Sequence, residues 1–213
     1  MDLRATLVCL YWLAVLSSSA AQDETAECRS QTKLWQDLAA NVKVAVECGE
    51  SQAYNGDAGQ TAELLLYMRN LTDSLHKHQL QECQGAEPAS CPAAEVPSNG
   101  GLACVTVANK RYCKPLCNHG YDFSFLRRTR LFDECSEQTG YKWQSQYVGG
   151  NTLAVCNEAS VQVSGAETAY FTKDCLTTKI SSQLKESTMA SFTSELRKQG
   201  IQGELQHPCL VCG

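Results

Sequence analysis

The 213-residue chain is poor in the residues and motifs on which most catalytic sites depend. It has only four histidines. It contains no Gly-x-Ser-x-Gly elbow, no phosphate-binding loop and no His-Glu-x-x-His motif, and no serine lies in a context that would activate it as a nucleophile. These absences predict a protein that is not an enzyme and that binds no cofactor.

A basic stripe and a long apolar segment are also lacking. The 18 lysines and arginines are outnumbered by 23 acidic residues, which gives a net charge of −5. Mild acidity without clustered lysine and arginine argues against nucleic acid or an anionic membrane as the main partner. No segment after residue 21 is apolar enough to span a bilayer, so we expect no membrane span.

The first 21 residues have the features of a secretory signal peptide. Asp2 and Arg4 precede an uncharged apolar run over residues 5–16, and small residues follow at 17–21. Cleavage after Ala20 or Ala21 would remove Cys9, so the thirteen cysteines would become twelve. An even number of cysteines predicts up to six disulfides in an oxidising compartment. We therefore expect a soluble, secreted, extracellular protein.

Asn70 is the acceptor of the chain's single N-glycosylation sequon, Asn-Leu-Thr. Sequons are modified where they lie on the surface of secreted proteins. The sequence thus predicts one N-linked glycan on an exposed face.

Three arginines, Arg127, Arg128 and Arg130, form the one local cationic cluster. The cluster could bind an acidic protein surface or a sulfated glycan, or be cut by a processing protease at the dibasic step. The alternative is a solvated strand or loop face without a partner.

Two stretches near the N-terminus have apolar residues at three- and four-residue steps, which predicts amphipathic helices. The first covers residues 30–47 and should end at Gly49, and the second covers residues 61–84 with Thr61 as a possible N-cap. Joined by a polar loop, they predict an antiparallel helical hairpin within residues 22–87.

The segment from Cys91 to Cys156 contains six cysteines in 66 residues. Short strand-like runs occur at 105–107, 121–123 and 153–155, with turn signals at 99–101 and 149–151. Such a short segment cannot bury a large core, and small secreted domains of this kind are usually held by disulfides. We predict a small disulfide-rich all-β unit over residues 88–157.

This segment also resembles the sushi (complement control protein) module, in its Pro-Ser-Asn-Gly turn, its Cys-x-x-Gly-Tyr step ending in Gly120 and Tyr121, and its downstream Trp143. The resemblance implies two disulfides, Cys91–Cys135 and Cys117–Cys156. It also implies a protein-binding role, since sushi modules act as spacers in complement, adhesion and matrix proteins. Cys104 and Cys113 are additional to the sushi pattern, and we expect them to pair because they flank an eight-residue hairpin-like loop.

Residues 158–213 are predicted to form a β-hairpin, or one interrupted strand, followed by a helix. The strand-like runs are 160–164 and 168–171, around Gly165, and the helix covers 176–199 and ends at Gly200. The whole chain is thus of the α+β class, with an N-terminal helical hairpin, a central sushi-like module and a C-terminal β-hairpin plus helix.

The remaining cysteines are assigned from helix geometry. Cys28 and Cys48 bracket a helix about 30 Å long, whereas a disulfide needs Cα atoms within about 7 Å, so these two should not pair. We expect Cys28–Cys83, because the second helix returns the chain to the level of Cys28. Of the three C-terminal cysteines, Cys175, Cys209 and Cys212, we expect two to pair with each other, which leaves one as the partner of Cys48. Such a bridge would join the N-terminal and C-terminal arms around a shared core of Trp35, Leu38, Leu71 and Phe192.

The two functional hypotheses that fit these features are both non-enzymatic. The first is a secreted interaction protein whose partner is another extracellular protein. The alternative is a secreted carrier or effector whose helices enclose an apolar cavity, lined by Trp35, Tyr67, Met68 and Phe192. A zinc site at His207, Cys209 and Cys212 with Cys175, or a redox pair of Cys209 and Cys212, is disfavoured, because thiolates in a secreted protein oxidise and no βαβ unit surrounds the pair. We expect no bound metal.

Overall fold

The computed structural model describes residues 31–49, 57–144 and 149–213. They belong to two compact units, residues 1–63 and residues 64–213. The predicted signal peptide and Cys28 lie outside the described residues. Within the described residues no helix is long and apolar enough to cross a membrane.

The first unit contains helix α1, Gln31–Gly49, close to the predicted bounds. Helix α2, Ala58–Leu80, begins in the first unit and continues in the second. It starts three residues before the predicted Thr61, because the carboxylate of Asp57 accepts a hydrogen bond from the Gln60 amide at 2.9 Å and so caps the helix.

Antiparallel strands form the centre of the second unit. A four-stranded sheet has the order β4-β2-β1-β6, and a two-stranded sheet pairs β3 with β5. The strands are β1 Gly100–Val107, β2 Lys110–Cys117, β3 Tyr121–Phe123, β4 Asp133–Cys135, β5 Cys156–Glu158 and β6 Leu205–Cys212.

Strands β1 and β2 form the hairpin that the sequence predicts. Ala108 and Asn109 make the two-residue turn, with positive φ angles of 48° and 57°, as a type I′ hairpin turn requires. This register places Cys104 opposite Cys113, and their Cα atoms are 4.1 Å apart in the disulfide.

Alternation of side chains along β1, β2 and β6 divides the core between two faces of the sheet. The side that we call the helix face carries Ala103, Val105, Val107, Tyr112, Leu116, Leu210 and Cys212. The opposite side, which we call the cleft face, carries Leu102, Cys104, Cys113, Cys209 and Val211. Both sets are buried, so this sheet is covered on both sides.

Two helices cover the helix face. Helix α3, Cys175–Ile180, and helix α4, Ser182–Lys198, together match the single helix predicted over 176–199. They are separate because Ser181 is extended, with φ −86° and ψ 113°, and its side chain caps α4. Phe192 and Leu196 of α4 are 0% and 1% exposed and pack against the strands.

A buried ion pair also connects α4 to the sheet. The Nζ of Lys114 lies 2.7 Å from a carboxylate oxygen of Glu195, and the two side chains are only 1% and 8% exposed. Lys114 also donates to the hydroxyl of Thr168 at 3.1 Å. Burial lowers the pKa of Lys114, and the contact with Glu195 partly offsets that shift.

The predicted β-hairpin at 160–164 and 168–171 is wrong. The segment has only a 3₁₀ turn at Glu167–Ala169 and isolated bridges. Side chains supply its order instead: Asp122 accepts hydrogen bonds from the amides of Val163 and Ser164, both at 3.0 Å, and from the hydroxyl of Tyr170 at 2.5 Å. Burial and the hydrogen bond to Asp122 raise the pKa of Tyr170 to about 12.

Two further local predictions also need correction. The predicted strand at 153–155 lies three residues later, at β5. The predicted turn at 99–101 is limited to Asn99, which has a φ of 60°, whereas Gly100 and Gly101 begin β1. A Cβ at Gly101 would lie 2.5 Å from the Sγ of Cys175, so glycine is required where the helix approaches the strand.

Strand β6 is absent from the sequence-based prediction, and it decides how Cys83, Cys209 and Cys212 pair. Two of the three C-terminal cysteines do bond to each other, as expected, namely Cys175 and Cys212. Since β6 pairs with β1 from Gly101 to Val107, it brings Cys209 to the cleft face and Cys212 to the helix face. Cys209 bonds to Cys83, with Cα atoms 5.5 Å apart, and Cys212 bonds to Cys175 at the same Cα distance. The predicted Cys28–Cys83 bridge is therefore wrong.

Cys48 does not pair with any of its three predicted partners, because Cys175, Cys209 and Cys212 are all used in other disulfides. It lies exposed near the end of α1. A link between the predicted N-terminal and C-terminal arms does exist, but through Cys83. Phe192 packs within the second unit rather than in the predicted core with Trp35, which is 44% exposed.

The other three disulfides are the pairs expected from the sequence. They are Cys91–Cys135, Cys117–Cys156 and Cys104–Cys113. The first two join in the order that the sushi resemblance implies. However, β6 extends the sheet to which Cys104 and Cys113 belong, so residues 205–212 share a core with the predicted module.

Replacing Glu195 with Gln should destabilise the protein by about 3 kcal/mol, because the buried ammonium of Lys114 would lose its countercharge. The matched control is Glu82→Gln in the pair of Lys179 and Glu82, where the Glu82 side chain is 50% exposed. That change should cost at most about 1 kcal/mol. Chemical denaturation measures both, and equal losses would show that the Lys114–Glu195 pair has no special role.

The hydrogen bonds to Asp122 predict a specific dependence of stability on pH. Burial alone would raise the pKa of Asp122, but the bonds from Tyr170, Val163 and Ser164 outweigh it and the pKa is lowered. A lowered folded-state pKa stabilises the protein above the ordinary carboxyl pKa of about 4, and this contribution is lost as the pH falls through the folded-state value.

Asp122→Asn should therefore be less stable than the wild type near neutral pH, and its stability should fall less on acidification. Denaturation curves at neutral pH and at about pH 3 provide the comparison. A variant that loses as much stability on acidification as the wild type would contradict the role of Asp122.

Candidate functional site

A cleft of about 610 Å³ lies over the cleft face of the sheet in the second unit. Leu102 of β1 and Val211 of β6 belong to its apolar lining, together with Leu80 at the end of α2 and Trp143. The segment from Gln84 to Val96 supplies small side chains, among them Ala89, Ala93 and Ala94. Clefts of roughly 300–1,000 Å³ with mainly apolar walls are typical of small-molecule sites.

Trp143 is held in place by its polar end. The indole is 7% exposed, and its Nε1 donates a hydrogen bond to the carbonyl of Pro92 at 2.8 Å. Since the Cys91–Cys135 disulfide joins this segment to β4, the tryptophan and the residues after Cys91 form one braced part of the cleft.

Cysteines of three disulfides line the cleft: Cys83, Cys91, and the pair of Cys104 and Cys113. The sulfurs of Cys83, Cys104 and Cys209 lie within 4.8 Å of one another, a spacing that could hold a metal ion. All three are oxidised, because Cys83 bonds to Cys209 and Cys104 bonds to Cys113. Metal binding by cysteine needs the thiolate, so these sulfurs form an apolar, rigid surface.

Arg111 of β2 is the buried charged residue of the cleft lining, and it is 5% exposed. Its Nη1 donates to the carbonyl of His207 at 2.8 Å and to the hydroxyl of Thr106 at 3.2 Å. Its Nη2 lies 3.0 Å from the Sγ of Cys209, a weak acceptor. These contacts fix the guanidinium where β1 and β6 have an irregular register.

No carboxylate among the described residues forms an ion pair with Arg111. Burial lowers its pKa to about 10, so the side chain stays charged at neutral pH. Buried charges in proteins are generally paired. Arg111 differs in this from Lys114 and Arg127, the other buried cations of the described residues, which both have acidic partners.

Two further titratable residues line the cleft. His76 of α2 is half-buried, and its Nδ1 lies 3.2 Å from the side-chain nitrogen of Gln79. Glu95 is exposed and accepts a hydrogen bond from the hydroxyl of Thr152. The cleft thus combines apolar walls with one buried cation and one exposed anion.

The predicted cationic patch at 127–130 is not a free surface cluster. Arg127 is 4% exposed and forms a 2.8 Å ion pair with Asp133, and it also donates to the carbonyl of Leu153. Arg130 pairs with the same carboxylate at 2.8 Å. Of the three, only Arg128 is exposed, and it donates to the carbonyl of Val163. The cluster therefore braces the fold.

The other predicted site residues are widely separated in the structure. Asn70 is exposed on α2, where a glycan remains a prediction. Tyr67 and Met68, predicted to line a helical cavity, are 59% and 36% exposed. Cys209 and Cys212 belong to different disulfides on opposite faces of the sheet, so the redox pair is not formed and His207 has no thiolate pair beside it.

Arg111 is not among the site residues predicted from the sequence, although the hairpin register gives a local indication of its position. Once Cys104 and Cys113 are paired across a hairpin, alternation places Arg111 on the same face as Cys113. The burial of that face depends on β6, which was not predicted.

Comparison of the chain with protein-family models, with curated proteins and with solved structures finds no match. Five disulfides join cysteines of the described residues. That many disulfides are typical of an oxidising compartment and are consistent with an extracellular protein.

Proposed function

We propose that this is a secreted, non-enzymatic binding protein that holds another extracellular protein on the apolar surface of α2. The observation that carries the proposal is the exposure of consecutive leucines in that helix. Leu64, Leu65 and Leu66 are 52%, 65% and 54% exposed.

These leucines cannot form an ordinary amphipathic stripe. Adjacent helical residues are about 100° apart, so three in succession cover most of the circumference. No described residue of Ala58–Leu80 is buried. A helix that is apolar on several sides is normally buried, and contiguous apolar surface on a protein marks an interaction site.

The C-terminal end of α2 is fixed to the rest of the second unit. After Leu80 the chain makes a 3₁₀ turn at Gln81–Cys83, and the Cys83–Cys209 disulfide binds that turn to β6. Gln79 donates to the carbonyl of Cys212 at 2.8 Å, and Lys179 of α3 contacts Gln79 and Glu82. The end of α2 is therefore attached to the sheet by covalent and polar contacts.

The sushi-like interpretation of residues 91–156 supports the same role. The first-to-third and second-to-fourth pairs, Cys91–Cys135 and Cys117–Cys156, match the module's order, and Trp143 is buried at the position of its core tryptophan. We propose a sushi-like module built into a larger domain. The non-enzymatic assignment rests on the scarcity of histidine and the absence of catalytic motifs in the sequence.

Photo-cross-linking tests the proposal. A photoreactive phenylalanine derivative at position 65 of the full chain should capture an extracellular protein from the native fluid, because Leu65 is 65% exposed. The matched control carries the same group at Lys185, an exposed residue of α4. Excess wild-type protein should compete for the captured protein, and excess Leu65→Glu should not.

The proposal fails if position 65 captures no more than position 185. It also fails if position 65 cross-links only to residues of its own chain, which would show that the leucines are covered internally. Leu65→Glu should leave the free energy of unfolding within about 0.5 kcal/mol of the wild type, since surface substitutions rarely do more.

A further inference from the structure

We propose that the cleft on the sheet binds a small amphipathic carboxylate, whose anionic group pairs with Arg111 and whose apolar body fills the space between Trp143 and Val211. This site is separate from the α2 surface proposed above. Neither site needs the other to be occupied.

The charge of Arg111 is the first argument. Arg111 is 5% exposed and lines the cleft, yet the acceptors of its guanidinium are a carbonyl, a hydroxyl and a disulfide sulfur. These uncharged groups orient the guanidinium but do not compensate its positive charge. Burying an unpaired charge is destabilising, and an anion in the cleft would offset part of that effect.

The geometry of the guanidinium favours a carboxylate. Both Nη1 contacts are made to protein oxygens, whereas the acceptor of Nη2 among the described residues is the sulfur of Cys209 at 3.0 Å. Since an arginine presents five N–H donors in a planar fork, donors remain for a ligand oxygen. The exposed carboxylate of Glu95 in the lining disfavours a second negative charge, so the ligand should be a monoanion.

The walls of the cleft define the rest of the ligand. Leu80, Leu102, Val211 and the Trp143 indole provide apolar contacts, and two of the disulfides hold the strands behind them rigid. A volume of about 610 Å³ is suited to a single alkyl chain or a small ring system. An uncharged apolar molecule would contact the apolar walls but leave Arg111 without an anionic partner.

Calorimetric titration of the full secreted chain tests this directly, with dodecanoate below its micelle concentration as the probe. Methyl dodecanoate is the matched neutral probe, and dodecylammonium is the matched cation. Dodecanoate should bind at least about tenfold more tightly than the ester, since hydrogen bonds to charged groups are worth that much or more. Dodecylammonium should bind most weakly.

Variants assign the effect to the cleft. Arg111→Met should remove the preference for dodecanoate over its ester. Arg128→Met, at an exposed arginine outside the cleft, should keep it. Ala93→Trp places a large ring at an exposed position of the lining, so it should weaken both probes without disturbing the core.

If Arg111→Met is not secreted, the comparison of Ala93→Trp with the wild type still tests whether dodecanoate binds in the cleft. Dodecanoate should shift the indole N–H resonance of Trp143 in the wild type and not in Ala93→Trp. The proposal is overturned if the wild type does not bind dodecanoate, if acid and ester bind equally, or if Ala93→Trp binds dodecanoate like the wild type.

Discussion

Strand β6 is the constraint on which the rest of the second unit depends. It extends the sheet beside β1, and its two cysteines point to opposite faces because they are three residues apart. Cys209 binds the turn after α2 on the cleft face, and Cys212 binds α3 on the helix face. Each bridge links segments far apart in sequence, 126 and 37 residues, so β6 holds both covering layers on the sheet.

The two faces of the four-stranded sheet are covered differently. On the helix face, α4 lies close to the strands, and Phe192, Leu196 and the Lys114–Glu195 pair complete a closed core. On the cleft face, the covering layer is the end of α2 and the chain from Gln84 to Val96 with Trp143. The segment from Gln84 to Val96 is rich in alanine and proline. Small side chains on a disulfide-braced loop leave a space that larger residues would fill. The cleft therefore results from the composition of that loop.

Local signals made several elements predictable. The helical periods of α1, α2 and the α3–α4 pair follow from three- and four-residue spacing, and the β1–β2 hairpin follows from the short loop between Cys104 and Cys113. Strand β6 has the opposite character. Its first half is exposed and contains His207 and Pro208, residues that argue against a strand in sequence terms. Proline is tolerated because β6 is an edge strand of the sheet.

The candidate site could not be predicted, because the position of its lining residues depends on β6, which the sequence did not predict. Arg111 is buried, and β6 supplies two of its contacts, the carbonyl of His207 and the Sγ of Cys209. Arg127 and Arg130, which were predicted to belong to a cationic patch, instead form ion pairs with Asp133. That carboxylate lies within six residues of both arginines in the sequence. Charge clusters on a sequence therefore need their opposite charges counted before a surface is inferred.

Non-reducing peptide mapping of the native protein tests the central claim most directly. Proteolysis under conditions that prevent exchange should recover Cys83 linked to Cys209 and Cys175 linked to Cys212, the two bridges that hold β6 between its layers. Recovery of Cys209 linked to Cys212 would contradict the account, because the two cysteines could not then face opposite sides of the sheet. Recovery of Cys83 linked to Cys28 would contradict it as well.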